Sequence, residues 1–213
     1  IDNAVSQKPK GIVITLPDAA ALGKSVKAAI AAGIPVVSMN SGSDDYASLG
    51  ISAHVGQTEF EAGVGGGQKM KAAGGKKALC VNHEVGNVAL DRRCAGFKKG
   101  FGGSVDILGT SNDPTEIQKA VAAKLGGGYD TILTLGAGLS GEAALKALEA
   151  AGKVGNVKLG TFDMSPNMLK AAAAGKVEFL IDQQQYLQGY LPIAIFAQYM
   201  RWGTMPAGVV MTG

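Results

Sequence analysis

The sequence predicts an α/β fold made of two parallel-sheet lobes. Three observations carry that prediction. Short apolar, β-branched runs recur along the chain, each followed by a stretch with helical spacing. Glycine is abundant (32 of 213 residues) and aromatics are scarce (6%), a composition that lets helices lie close against a sheet. The strand–helix rhythm also comes as two series of similar spacing, which points to two similar lobes rather than one continuous sheet.

In chain order, residues 1–7 (IDNAVSQ) read as the end of a helix. Residues 11–16 (GIVITL) form a continuous apolar run, as expected of a strand covered on both faces. Asp18 is placed to cap the helix 19–32, which Gly33 ends. PVVSM (35–39) is the next strand, followed by the polar loop 40–45 and a short extended piece at 53–56. The helix 59–73 is diluted by Gly63, Gly65, Gly66 and Gly67, which implies close packing or mobility. A second series follows, with strands at 77–81, 104–108, 131–135, 157–162 and 177–181. Helices at 88–100, 115–124, 141–151 and 166–174 separate them, and a long helix at 186–201 closes the chain. The second series, about 58–183, is a complete five-strand unit; the first has two clear strands, fewer than a doubly wound sheet normally needs.

Composition narrows the function. With 46% hydrophobic residues the chain can bury a real core. The net charge is +3 with no basic run, so nucleic acid is not an expected partner. No apolar stretch approaches the ~20 residues of a membrane span, so no membrane insertion is expected. Cys80 and Cys94 leave a disulfide and two buried thiols equally open. His54 and His83 show no metal-ligand spacing, and no nucleophile–base pair or carboxylate pair stands out. The expectation is a binding protein, not an enzyme, without metal or cofactor.

Side chains at the C-terminal ends of parallel strands face the crevice where ligands bind. Those positions hold Asn40, Ser41, Asn82, His83, Glu84, Ala137, Phe162, Asp163, Asp182 and Gln183, with Arg92 and Arg93 opening the helix after Asn82. Asn and Asp after strands are also ordinary caps and turn formers. Their recurrence with an arginine and an aromatic ring fits a neutral polyhydroxy ligand. Amides and carboxylates match hydroxyl donors and acceptors, and an aromatic face covers the C–H side of a sugar. The motif Gly136-x-Gly138-x-x-Gly141 follows a strand and opens a helix, as a dinucleotide fingerprint does, with Asp163 at the end of the next strand. It sits on the third strand of its series rather than the first, and no catalytic domain accompanies it. The plainer reading is that Gly136 and Gly138 let the turn pass close to its neighbours.

The stretches KPKGIVITLPD (8–18), GIPVVSMNSG (33–42), HVGQTEFEAG (54–63), LCVNHEVGNVALDRRCAGF (79–97), GTFDMSPNML (160–169) and IDQQQYLQGYLP (181–192) resemble the periplasmic sugar-binding proteins of ABC transporters, the type I, ribose-binding-like family. The resemblance implies a type I periplasmic-binding-protein fold: two doubly wound parallel-sheet lobes, joined by three crossings, that close on a sugar. It implies further strand–helix units before residue 11 and a continuation beyond residue 213. The N-terminal lobe (1–57 plus 184–213) is therefore expected to be incomplete and the C-terminal lobe (58–183) complete. Asn40 and Ser41 fall where relatives carry an Asp-Arg pair at the ligand. Arg93 matches the ligand arginine, Phe162 and Asp163 the aromatic-acid pair, and Gln183 the ligand glutamine. Ala137 falls where many relatives place a binding asparagine. With Asn82, His83 and Glu84, these residues form the expected site. The implied function is capture of a sugar or polyol for the membrane permease of an ABC transporter, in the periplasm, after export on a signal peptide not present in this chain. The effector core of a LacI-type repressor shares the fold and is the alternative; an NAD-binding enzyme is the third reading.

Overall fold

The computed structural model describes residues 1–213 and divides them into two compact units, Ile1–Thr58 with Gln183–Gly213, and Glu59–Asp182. The chain opens with the short helix α1 (Asp2–Ser6), then β1 (Ile12–Ile14), α2 (Ala19–Ala31), β2 (Val36–Met39) and β3 (Ala53–Gly56). The second unit runs α3 (Glu59–Ala72), β4 (Lys77–Asn82), α4 (Val88–Phe101), β5 (Ser104–Gly109), α5 (Pro114–Lys124), β6 (Thr131–Thr134), α6 (Glu142–Ala150), β7 (Lys158–Phe162), α7 (Pro166–Ala173) and β8 (Phe179–Ile181). The chain then returns to the first unit as α8 (Gln185–Trp202) and β9 (Gly208–Met211).

In the first unit the sheet order is β1-β2-β3-β9, all parallel. The short piece at 53–56 is an interior strand, and β9 adds a fourth. Period-2 alternation sends Ile12, Ile14 and Val36 to one face with Val26 and Ala29 of α2. Val13, Val37, Val55 and Val210 go to the other face with Leu191, Ile195 and Phe196 of α8. The α2 N-terminus is capped as expected, with Asp18 accepting from Ala21 N at 2.9 Å. β1 is an edge strand, and all three of its residues are half-buried. Tyr186, Tyr190, Ile193 and Met200 form an exposed apolar stripe on α8, with the two tyrosine rings stacked at 6.0 Å. No helix is long and apolar enough to cross a membrane.

In the second unit the sheet order is β5-β4-β6-β7-β8, again all parallel. Leu79, Val81, Ile132 and Leu159 pack on one face against α5, α6 and α7. Ala78, Cys80, Leu133 and Phe162 pack on the other against α3 and α4. The glycine-rich α3 is explained by α4. A Cβ at Gly63 would lie 2.3 Å from Arg93 O, and one at Gly67 2.4 Å from Phe97 O. Reciprocally, a Cβ at Gly96 would lie 2.0 Å from Phe60 O and one at Gly100 2.1 Å from Val64 O. Each helix contributes two glycines four residues apart, and the backbones touch where side chains would otherwise stand. Close packing, not mobility, is therefore the reason for these four glycines. Cys80 of β4 and Cys94 of α4 form a disulfide with Cα atoms 5.9 Å apart, so α4 is also fastened covalently to an interior strand of the sheet.

Candidate functional site

The strand order of the second unit reverses between β4 and β6, so the connections leaving those strands diverge to opposite faces. Such a reversal opens a crevice at the C-terminal strand ends. The residues that leave β4, β6 and β7 meet there.

Asn82 ends β4 and is buried, with Nδ2 donating to Asp91 Oδ1 at 2.8 Å and Oδ1 accepting from Glu84 N at 3.0 Å. It shapes the turn that presents half-buried His83 and exposed Glu84. Asn87 caps α4 through Ala89 N and donates to Glu84 Oε2 at 3.0 Å. His83 Nδ1 lies 3.3 Å from Ser140 Oγ, whose hydroxyl donates to Gly136 O at 3.0 Å. With that proton committed, Ser140 accepts from His83 Nδ1–H, which leaves Nε2 as an acceptor in the neutral ring. Burial holds the His83 pKa below its ordinary value; Glu84 and Asp163 oppose that shift and Arg93 reinforces it.

Gly136 lies between two of these side chains. A Cβ there would stand 3.1 Å from His83 Cε1, so the glycine leaves a few tenths of an ångström of room for the ring, whereas Asp163 Oδ2 at 3.7 Å would be in ordinary contact. Gly138 differs from the sequence expectation: nothing lies within 4 Å of its Cβ position. Residues 137–141 form a π-helical turn leading into α6. Asp163 follows β7 with φ +68°, a left-handed conformation uncommon for a residue with a side chain. Its N–H donates to Ile181 O at 2.8 Å, which fixes the turn. Backbone held in such a region is a recurrent mark of functional positions.

Arg93 is buried on α4. Its Nε donates to Glu59 Oε2 at 2.5 Å, Nη2 to Glu59 Oε1 at 3.1 Å and Nη1 to Leu135 O at 3.2 Å. The guanidinium sits over the Phe162 ring, 4.5 Å from its centroid. Phe162 is fully buried, so the ring supports Arg93 from below rather than standing at the surface. Neither Glu59 nor Ser140 was singled out by the sequence. A glutamate opening a helix reads as ordinary favourable charge at an N-terminus, and a serine in a glycine-rich turn reads as a turn former.

The other expected residues belong to the first unit. Asn40 ends β2 with φ +61°, and its Nδ2 donates to Gln188 Oε1 at 3.1 Å. Ser41 is buried, with its hydroxyl 2.7 Å from Thr15 Oγ1. Gln183 is buried where the chain re-enters this unit, and its Oε1 accepts from Gln57 Nε2 at 3.2 Å. Gln183 O accepts from both Gln188 Nε2 and Thr212 Oγ1, each at 2.9 Å. Three separate chain segments are thereby knotted by amides and one hydroxyl. Gln188 organises that knot, and nothing in the sequence sets it apart from Gln185 and Gln198 of the same helix. His54 is fully buried nearby, with Nδ1 2.9 Å from Ser38 Oγ and Nε2 without a hydrogen-bond partner. Burial pushes its pKa down to about 4 against a weaker upward pull from Asp44. No group of three or more His, Cys, Asp or Glu is arranged to hold a metal ion.

Comparison with known proteins agrees with this architecture. A carbohydrate transporter from Acidothermus cellulolyticus 11B, solved in complex with myo-inositol, matches 99% of this chain and 74% of its own, with 35% identity and a TM-score of 0.94. A periplasmic sugar-binding protein of an ABC sugar transporter from Legionella pneumophila shares the fold, at 24% identity and a TM-score of 0.86 over 99% of this chain and 80% of its own. The xylose/arabinose-binding protein of Sulfolobus acidocaldarius is 24% identical over 218 residues, covering 94% of this chain. The chain spans 54% of that curated relative's length. A family model described as a periplasmic binding protein domain matches residues 1–204. The chain belongs to the periplasmic binding protein domain family.

Proposed function

We propose that this chain is the ligand-capturing part of a solute-binding receptor that takes up a neutral, hydroxyl-rich compound, a sugar or a cyclitol, and serves the permease of an ABC transporter. The observation that carries the ligand class is the likeness, at 35% identity over 99% of the chain, to a carbohydrate transporter holding myo-inositol. The chemistry of the second unit agrees with it. His83 Nε2 offers an acceptor, Asp163 and Glu84 offer carboxylates, and Arg93 is close enough to act electrostatically on His83. Such a set satisfies hydroxyls, each of which donates one proton and accepts through its lone pairs. We assign Asn82, His83, Glu84, Arg93, Phe162 and Asp163 to ligand binding or its immediate support, and Asn40, Ser41 and Gln183 to the first unit's share of it.

The Cys80–Cys94 disulfide supports export, because disulfides persist in oxidising compartments. The Gly136–Gly141 turn is not assigned to a nucleotide. Its middle glycine faces open space, and the first leaves room for the His83 ring.

The test is isothermal titration calorimetry of the purified chain with myo-inositol, xylose, arabinose and ribose, backed by thermal shift. A ligand at about 100 times its Kd stabilises the folded state by about 2.7 kcal/mol. In a chain of this size that raises the Tm by roughly 5–11 °C. Saturable binding of at least one of these compounds supports the reading. Heats no larger than dilution, with an unchanged Tm at millimolar concentrations of all four, count against it.

A further inference from the structure

Glu59 is the first residue of α3, is 4% exposed, and spends both carboxylate oxygens on one guanidinium. Arg93 is consequently held at all three of its nitrogens, twice by Glu59 and once by Leu135 O, with Phe162 behind its plane. An arginine so held can turn neither toward nor away from a ligand. The pair also cancels its own charge. Once it does, the segments that follow β4, β7 and β8, counted through Arg92 of α4, carry the carboxylates of Glu84, Asp91, Asp163 and Asp182, and Arg92 as the one further cation. An arginine without such a partner is a fork for carboxylate or phosphate. Here the Nε–Nη2 side of that fork is taken by Glu59, and Nη1 gives a further bond to Leu135 O.

We propose that Glu59 is a positioning and specificity-determining residue: it orients Arg93 and neutralises it, so that the site takes neutral polyhydroxylated compounds and rejects sugar acids and sugar phosphates. The inference rests on the reading of these strand ends as a sugar or polyol site, and it adds to that reading the chemical class the site excludes. Glu59 need not touch the ligand. Its effect passes through Arg93, and the close approach of α3 and α4 at Gly63 and Gly96 sets the distance over which it does so.

The experiment compares the parent chain with Glu59→Gln, Glu59→Asp and the double variant Glu59→Gln/Arg93→Gln by calorimetry, with myo-inositol as the neutral probe and D-glucuronate as the anionic one. The parent should bind myo-inositol and bind D-glucuronate at least tenfold more weakly. In Glu59→Gln the ratio of the two affinities should move at least tenfold toward D-glucuronate, and Glu59→Asp should recover part of the parent's ratio. Loss of fold alone weakens both probes together and leaves their ratio unmoved. If the unpaired buried arginine prevents Glu59→Gln from folding, the double variant, which removes both charges, decides. It should fold, lose myo-inositol binding and gain no affinity for D-glucuronate. An unchanged ratio in folded Glu59→Gln, or parent-like myo-inositol binding by the double variant, overturns the role of Glu59 while leaving the sugar-site reading intact. A parent chain that prefers D-glucuronate overturns the exclusion of anions alone. A parent chain that binds neither probe overturns the sugar-site reading and the role of Glu59 with it.

Discussion

Replacing Gly96 by alanine puts a methyl group into the backbone contact between α3 and α4. The added Cβ would stand 2.0 Å from Phe60 O, 2.9 Å from Phe60 C and 3.0 Å from Val64 N. All three partners are main-chain atoms of a helix, so no side chain can swing aside. To bring the shortest contact to the 3.0 Å below which real Cβ contacts are essentially never found, the helices must part by at least 1.0 Å at this point. Overpacking costs about 1–3 kcal/mol, and a contact made wholly with main-chain atoms belongs in the upper part of that range, about 2–3 kcal/mol. Against it stands the helix preference of alanine over glycine, at most about 1 kcal/mol. The net expectation is a loss of about 1–2 kcal/mol, or roughly 2–8 °C in Tm. Gly65→Ala in α3 is the matched control. Nothing lies within 4 Å of its Cβ position, so only the propensity gain remains and the variant should be more stable than the parent by about 0.5–1 kcal/mol. Urea unfolding followed by far-UV circular dichroism measures both. A Gly96→Ala protein as stable as the parent, or changes of the same sign in both variants, would refute the interlocked-helix account. The same contact holds Glu59 beside Arg93, so Gly96→Ala should also weaken ligand binding.

Two further outcomes follow from groups described above. His54 is pushed down to about 4 in the folded chain against an ordinary 6.5, so the unfolded chain takes up the proton first. Stability attributable to this group is fully present above pH 6.5 and is lost as the pH falls through about 4, by about 3 kcal/mol in all. Urea midpoints at pH 7 and pH 4 should differ by less in His54→Gln than in the parent, and an equal difference would remove His54 as the cause. Asp163→Gly keeps a backbone that accepts φ +68° and deletes the carboxylate. Stability should hold or rise while ligand affinity falls by about 1–3 kcal/mol, the cost of leaving a buried hydroxyl unpaired; parent-like affinity would take Asp163 out of the site.

Parallel strands covered on both faces read as unbroken apolar runs, and for that reason β4, β6 and β7 were legible in the sequence. β9 was not. It is a four-residue edge strand that alternates half-buried and exposed residues, and nothing in VVM after a proline distinguishes it from a loop. The glycines of α3 were visible but ambiguous, because their partners Gly96 and Gly100 lie on another helix and mean nothing until the two are set face to face. Topology alone placed Asn82, His83, Glu84 and Asp163 at strand ends, since a residue following a parallel strand has nowhere else to go. What the side chains do there was out of reach. Arg93 pairs with a residue 34 positions earlier, and the pairing depends on how closely two helices approach. Phe162 ends its strand but faces the α3–α4 side, and alternation by one residue separates a ring in the core from one at the surface. The cysteine pairing left open by spacing was decided by the 5.9 Å Cα separation that β4 and α4 impose.

If the C-terminal strand ends of the second unit hold a neutral polyol, its binding must perturb the residues that follow β4, β6 and β7. Titration of the ¹⁵N-labelled chain with myo-inositol, followed residue by residue in amide correlation spectra, tests it most directly. Saturable shifts concentrated at His83, Glu84, Gly136 and Asp163 and at the Arg93 Nε–H resonance are the expected result. Saturable shifts that leave those positions unmoved and gather elsewhere on the chain would contradict it.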